Sequence, residues 1–104
     1  MLDTLLDSWD RNNTTLLNLL GAIPEGGLDA RAMEGSPTVS EMFTHMHHER
    51  MVSVLETAPE CAGQVPAQEW SPERDAHRIA QMLRESGTRV RDAVKGRVEA
   101  DRAL

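Results

Sequence analysis

Apolar residues recur at helical spacing along this chain, and the clearest stripe occupies its N-terminal segment. Heptad-spaced residues and three further leucines share one helix face: Leu2, Leu5, Leu6, Trp9, Leu16, Leu20 and Ile23. Such a stripe predicts an amphipathic helix that packs in a bundle. Gly21 and Pro24 predict its C-terminal end. Asn13 falls at a stripe position, which predicts a polar partner or a water molecule there.

A second helix is predicted to begin at Ser36-Pro37, because Ser suits the N-cap and Pro suits the first helical position. Thr38 with Glu41 offers a competing capping box two residues later. The helix should end shortly before Pro59, at about residue 57, because proline cannot continue it.

Ser71-Pro72 repeats this start signal and predicts a third helix that runs to the chain end. Its apolar stripe consists of Ala76, Ile79, Leu83, Val90, Val94, Val98 and Leu104. Gly87 lies on the stripe and Gly96 further along, and each weakens the helix by roughly 1 kcal/mol relative to alanine. Loops of residues 24–35 and 59–70 separate the three helices.

The third helix is long for a domain of this size. At 1.5 Å per residue it would measure about 50 Å, against about 32 Å for the second helix. Its C-terminal part would overhang its neighbours and expose Val94, Val98 and Leu104. Either a fourth helix absent from this chain or a partner chain would cover them. The second arrangement predicts a homodimer through the apolar stripe of the third helix.

Length and composition predict one all-α domain covering residues 1–104. Only 3% of the residues are aromatic and tyrosine is absent, which disfavours β-sandwiches and barrels. We therefore expect an up-down helical bundle with three helices in this chain. The fourth helix is expected to be missing or replaced by a partner chain.

The net charge of −6 argues against nucleic-acid binding as the main role. The charge is uneven, with 11 acids and 3 bases in residues 1–71 and 6 acids and 8 bases in residues 72–104. The basic third helix keeps nucleic-acid binding as the last of three hypotheses. No aromatic residue interleaves its arginines, so a stacking platform for single strands is not expected.

The remaining sequence signals predict a cytoplasmic protein that does not enter a membrane. Cys61 is the only cysteine, so no intrachain disulfide can form, which fits a reducing cytosol. It has no adjacent base and is not expected to act as a nucleophile. Residues 1–4 lack the positive region of a signal peptide. The best apolar run, residues 16–23, is far shorter than a membrane span.

Three of the four histidines, His45, His47 and His48, cluster with Glu49 on the second helix. The apolar arc of that helix is centred about 110° around the axis from His45, and it contains Val39, Met42, Phe43, Met46 and Val54. His45 and Glu49 lie at one edge of this arc. His47 flanks the opposite edge and His48 points away, so both are expected to be solvated.

His45 and Glu49 are one helical turn apart, so they can share a divalent metal, or the carboxylate can orient the imidazole. A catalytic metal usually has three protein ligands, and this helix supplies two at most. His77 is the one remaining histidine, and no spacing rule ties it to His45. From spacing alone, a histidine at the edge of an apolar face is more often a satisfied boundary residue than a ligand.

The segment from Ser36 to Arg50 (SPTVSEMFTHMHHER), the leucine-rich first helix with Trp9 and the turn at residues 23–25 resemble the DinB-like proteins. These are bacterial four-helix bundles that include YfiT-like metalloenzymes. The resemblance covers essentially the whole chain. It implies a bundle that is often homodimeric and that in many members holds a divalent metal, commonly nickel or zinc, on three histidines. His45 occupies the position of the first of these ligands.

The resemblance also implies that the other two ligands come from a His-x-x-x-His motif on a last helix. No histidine follows His77 in this sequence, so only His45 can be carried over and the chain is truncated relative to the family. The expected function is therefore that of a DinB-like protein of unassigned activity with an incomplete divalent-metal site. The alternative is a metal-dependent hydrolase or low-molecular-weight-thiol transferase, with His45 as one metal ligand and Glu49 as an orienting group.

Overall fold

The computed structural model describes residues 1–103, with side chains up to residue 101. Three α-helices and two short 3-10 turns make up its regular structure: α1 (Leu2–Gly21), Gly27–Asp29, α2 (Val39–Thr57), Pro59–Cys61 and α3 (Ala76–Ala103). No β-strand occurs among these residues, so the all-α prediction is confirmed. None of the helices has an apolar stretch long enough to cross a membrane. Leu104, the last residue of the predicted stripe, lies outside the described residues.

The predicted start of α2 at Ser36-Pro37 is wrong, because the competing capping box forms instead. Thr38 is the N-cap, and its hydroxyl accepts a hydrogen bond from the Glu41 backbone N–H at 3.1 Å. The Glu41 carboxylate in turn accepts from the Thr38 backbone N–H at 3.0 Å. Ser36 bonds to the backbone of Met33 and closes a turn ahead of the helix.

The predicted start of α3 at Ser71-Pro72 is also too early. The Ser71 hydroxyl accepts from the Glu73 backbone N–H at 3.1 Å, which caps a local turn. Asp75 begins the helix, since its carboxylate accepts from the His77 backbone N–H at 2.9 Å. Ser and Asp both suit the N-cap, so the sequence contains two usable start signals within five residues.

The expected up-down order is wrong for α2 and α3, which run parallel. Arg50 contacts the Leu83 carbonyl, and seven residues later Thr57 accepts from Arg97, so both helices advance in the same direction. The connection spans residues 58–75, long enough to cross back along the molecule. α1 runs antiparallel to both, because Leu20 packs with Leu83 whereas the earlier Asp10 pairs with Arg91.

α3 packs closely against both α1 and α2, whose backbones lie farther from each other. Two clusters of buried residues form the core: Leu20, Phe43, Ile79 and Leu83 in one, and Val54, Ala58 and Ala93 in the other. Both clusters draw on α3. This arrangement leaves the outer face of α2 available to the long connection.

The buried face of α2 differs from the predicted arc. It consists of Ser40, Phe43, Thr44, His47, Met51 and Val54. Met42 and Met46, which were expected inside the arc, are 44% and 39% exposed. The helix is therefore rotated about 90° from the predicted orientation. Polar residues occupy half of its buried face. The pattern of apolar positions cannot predict that they are buried.

A set of hydrogen-bonded polar side chains joins the three helices near the middle of the bundle. Asn13 has the polar partner that its stripe position predicts, since its side-chain oxygen accepts from Arg50 Nη1 at 2.8 Å. Trp9 Nε1 donates to the Gly87 carbonyl at 2.8 Å. A Cβ atom at Gly87 would lie 2.8 Å from Asn13 Nδ2. Any larger residue here would have to displace the Asn13 side chain, so glycine favours the close approach of α1 to α3.

Candidate metal centre

His45, Glu49 and Glu69 form the one group in the described part of the chain whose donor atoms are placed to hold a metal ion. His45 Nε2 lies 2.7 Å from Glu69 Oε1 and 3.6 Å from Glu49 Oε1. Single donor atoms of the three residues all lie within 4.8 Å of one another. The same imidazole nitrogen thus faces two carboxylates.

The rotation of α2 places His45 on its outer face, away from the α2 residues that pack on α3. Glu49 follows one turn later on the same face, as the helical period requires. Glu69 comes from the connection between α2 and α3. Its approach depends on the parallel arrangement of those helices, because the connection must return along α2 before α3 begins.

The connection is held at its start and over His45. Arg97 donates to the Thr57 carbonyl at the end of α2, and Arg89 donates to the Cys61 carbonyl at 3.3 Å. Trp70 stacks on the imidazole of His45 with ring centroids 4.3 Å apart and planes 18° from parallel. This stack orients the imidazole and holds the adjacent Glu69 beside it.

The donor set suits several divalent transition-metal ions. One imidazole nitrogen and two carboxylate oxygens are ligands for zinc, nickel, manganese or iron(II). Two donors bound to a tetrahedral ion are about 3.4 Å apart, so an ion would move His45 and Glu69 apart by less than an ångström. Glu49 and Glu69 are 60% and 56% exposed, which leaves their carboxylates free to make this adjustment.

His47 is not solvated, contrary to the sequence-based expectation. Its side chain is only 3% exposed on the buried face of α2, and its Nδ1 has no hydrogen-bond partner among the described residues. Burial lowers the pKa of His47, while Glu85 and the Met82 backbone oppose the shift. This burial predicts lower stability at acid pH. It does not support a role for His47 as a surface metal ligand.

The other residues considered from the sequence lie outside the group. His48, also expected to be solvated, is half-buried, and its Nδ1 has no hydrogen-bond partner among the described residues. Its ring centroid lies 6.4 Å from that of His45, but it is not part of the donor set. His77 is exposed at the start of α3, and Cys61 is a half-buried free thiol in the connection. Neither belongs to the group.

Sequence reasoning identified His45 and Glu49 but missed Glu69 and Trp70. An acidic residue followed by tryptophan in a loop is a weak signal, and only the path of the connection makes it meaningful. No protein-family model, curated protein or solved structure matches this chain. Its function is therefore inferred from the geometry of the site.

Proposed function

We propose that this protein is a divalent-metal-binding helical bundle in which His45, Glu49 and Glu69 hold the ion. The observation that supports this most is the convergence of two carboxylates on one imidazole nitrogen, from residues 4 and 24 positions away along the chain. A surface ion pair alone contributes little to stability, whereas a metal ion would use all three donors at once.

We further propose that the chain belongs to the DinB-like type. His45 is the residue that the resemblance assigns as the first ligand, and it lies in the candidate centre. Glu49 and Glu69 would take the place of the two histidines that this sequence lacks. The site would then hold three protein donors without a fourth helix.

The alternative function is that of a metal-dependent hydrolase or low-molecular-weight-thiol transferase. Three protein donors leave coordination positions open, as in catalytic rather than structural sites. A bound divalent ion would supply Lewis acidity and an activated water or thiolate. The residues of this chain would position the ion, with Trp70 covering one face of His45. Ester hydrolysis or thiol transfer by the metal-loaded protein, lost on His45→Ala, would support this function.

Calorimetric titration of metal-free protein with Zn²⁺ and Ni²⁺ tests the metal proposal. We expect one ion per chain, no binding by His45→Ala, and unchanged binding by His77→Ala as the matched control. Wild-type protein that takes up neither ion, or a His45→Ala variant that binds as the wild type does, would contradict the proposal.

A second proposal concerns self-association through α3. An open groove of about 260 Å³ runs between the end of α2 and the C-terminal part of α3. Its apolar lining comes from Val54, Val90, Ala93, Val94 and Val98. Val94 and Val98, predicted from the sequence to be uncovered, are half-buried in this groove. A second copy of the chain would cover the groove across a two-fold axis.

A further inference from the structure

The guanidinium of Arg50 is held in one orientation at the centre of the molecule. Its Nη1 contacts the Asn13 side-chain oxygen at 2.8 Å, the Leu83 carbonyl at 3.2 Å and the Ser86 hydroxyl at 3.3 Å. The Trp9 ring covers one face, with its centroid 4.8 Å from the guanidinium carbon. The Trp9 ring is fixed in turn by its bond to the Gly87 carbonyl.

The opposite edge of the guanidinium is free. Neither Nε nor Nη2 of Arg50 has an acceptor among the described residues, and neither is among the fully enclosed polar atoms without a partner. Both atoms therefore keep contact with solvent. Every acceptor that Arg50 contacts is neutral, and no described carboxylate pairs with it.

Burial lowers the pKa of Arg50, and no carboxylate opposes that shift. A half-buried cation without an anion is unusual, because desolvation of a charge is normally compensated by a paired charge. The Nε–Nη2 edge presents two parallel N–H groups, which match the two oxygens of a carboxylate. Because three contacts already fix the side chain, little rotamer freedom would be lost on binding.

An exposed apolar side chain lies one helical turn before Trp9, and another lies one turn before Arg50. Leu5 precedes Trp9 on α1 and is 49% exposed, and Met46 precedes Arg50 on α2 and is 39% exposed. Residues four apart on a helix are neighbours on its surface. A ligand that contacts Arg50 would therefore meet apolar surface beside its charged group.

We propose that the free edge of Arg50 is a recognition site for a carboxylate attached to a short aliphatic chain. The carboxylate oxygens accept from Nε and Nη2, and the aliphatic part lies against Leu5 or Met46. The same carboxylate chemistry is available from a free aliphatic acid and from an acidic side chain of a second copy. This site is separate from the metal centre and does not depend on it.

The arginine Nε–H resonances of ¹⁵N-labelled wild-type protein test the proposal directly, in EDTA and at constant ionic strength. Titration with sodium hexanoate should shift the Arg50 Nε–H saturably, with a Kd on the order of 1 mM. The Nε–H of Arg91, which already bonds Asp10, should not follow it. Hexanol, which has the aliphatic chain without the charge, should not shift the Arg50 Nε–H resonance.

Two further measurements identify where the carboxylate comes from and test the role of Arg50. If the carboxylate comes from a second copy, the Arg50 Nε–H will shift with protein concentration, and hexanoate will reverse the association. Arg50→Lys keeps the charge but not the two parallel N–H groups, and it should weaken hexanoate binding by at least about tenfold. An Arg50 Nε–H that moves with neither hexanoate nor protein concentration would overturn the proposal, as would an equal shift at Arg91. These outcomes need no variant to fold.

Discussion

His45 Nε2 lies 2.7 Å from Glu69 Oε1, although 24 residues separate the two in sequence. The contact exists because α2 and α3 run parallel and the connection between them returns along the outer face of α2. Trp70 then stacks on the imidazole and keeps the neighbouring carboxylate close. The candidate metal centre thus depends on a loop path rather than on a single helix.

Alanine at two glycines of α3 should have opposite effects on stability. Gly96→Ala should stabilise the protein by up to about 1 kcal/mol, because nothing beyond the adjoining backbone of α3 lies within 4 Å of the added Cβ. Gly87→Ala should destabilise it by about 1–3 kcal/mol, because the Cβ would lie 2.8 Å from Asn13, whose side chain is held by Arg50. Urea unfolding of both variants measures the difference, and equal shifts would contradict the close approach of α1.

The N-cap of α2 should contribute more to stability than the serine ahead of it. Thr38→Ala removes the buried hydroxyl that accepts from the Glu41 backbone N–H, while the Thr38 backbone N–H still donates to the Glu41 carboxylate. This loss should cost about 1 kcal/mol, within a range of about 0.5–2. Ser36→Ala removes only exposed bonds to Met33 and should cost less than about 0.5 kcal/mol. Chemical denaturation compares them, and a larger loss at Ser36 would mean that the helix begins there.

The buried His47 should make the protein less stable as the pH falls. Its folded-state pKa lies below the value of about 6.5 expected in the unfolded chain. Between these two pKa values the unfolded state binds more protons, so stability is complete above about pH 6.5 and declines as the pH drops towards the folded-state pKa. One such group can contribute a slope of no more than about 1.4 kcal/mol per pH unit.

Unfolding free energies between pH 7.5 and 5, measured in EDTA, test this dependence. His47→Leu should flatten the decline, whereas His77→Gln, at an exposed position, should leave it unchanged. Identical slopes for wild type and His47→Leu would show that protonation of His47 does not destabilise the folded state.

Self-association should depend on the apolar groove of α3. Sedimentation of the wild type at tens of micromolar should show a dimer, because the groove at Val94 and Val98 would otherwise remain open. Val98→Asp should yield a monomer, while Ala100→Asp, at an exposed position on the same helix, should still dimerise. A wild-type protein that stays monomeric at these concentrations would refute this interface.

The three helices could be predicted from sequence because their signals are local. The stripe from Leu2 to Ile23, the capping residues and the prolines determine where helices form, and Asn13 correctly predicted a polar partner. Helix starts were harder, because Ser36 and Thr38 are both acceptable caps. The outcome depends on which hydroxyl meets a partner three residues later, and Glu41 provides it only for Thr38.

The orientation of α2 and the third donor could not be predicted in this way. Ser40, Thr44 and His47 are buried, so the apolar pattern pointed to Met42 and Met46 instead. Glu69 reaches His45 only because of the route that the connection takes, and no periodic sequence pattern indicates that route. The parallel direction of α2 and α3 likewise follows from packing, since a connection of this length permits either direction.

A metal titration of Glu69→Gln decides whether Glu69 completes a metal site with His45 and Glu49. Glutamine keeps the size of the side chain and its contact with His45 but removes the charged donor. Zn²⁺ affinity should fall by at least about 10–100-fold relative to wild type, since loss of a hydrogen-bond partner behind a ligand already costs that much. Glu25→Gln, at an exposed loop position outside the group, should bind as the wild type does. Equal Zn²⁺ affinity for wild type, Glu69→Gln and Glu25→Gln would mean that Glu69 is not a ligand.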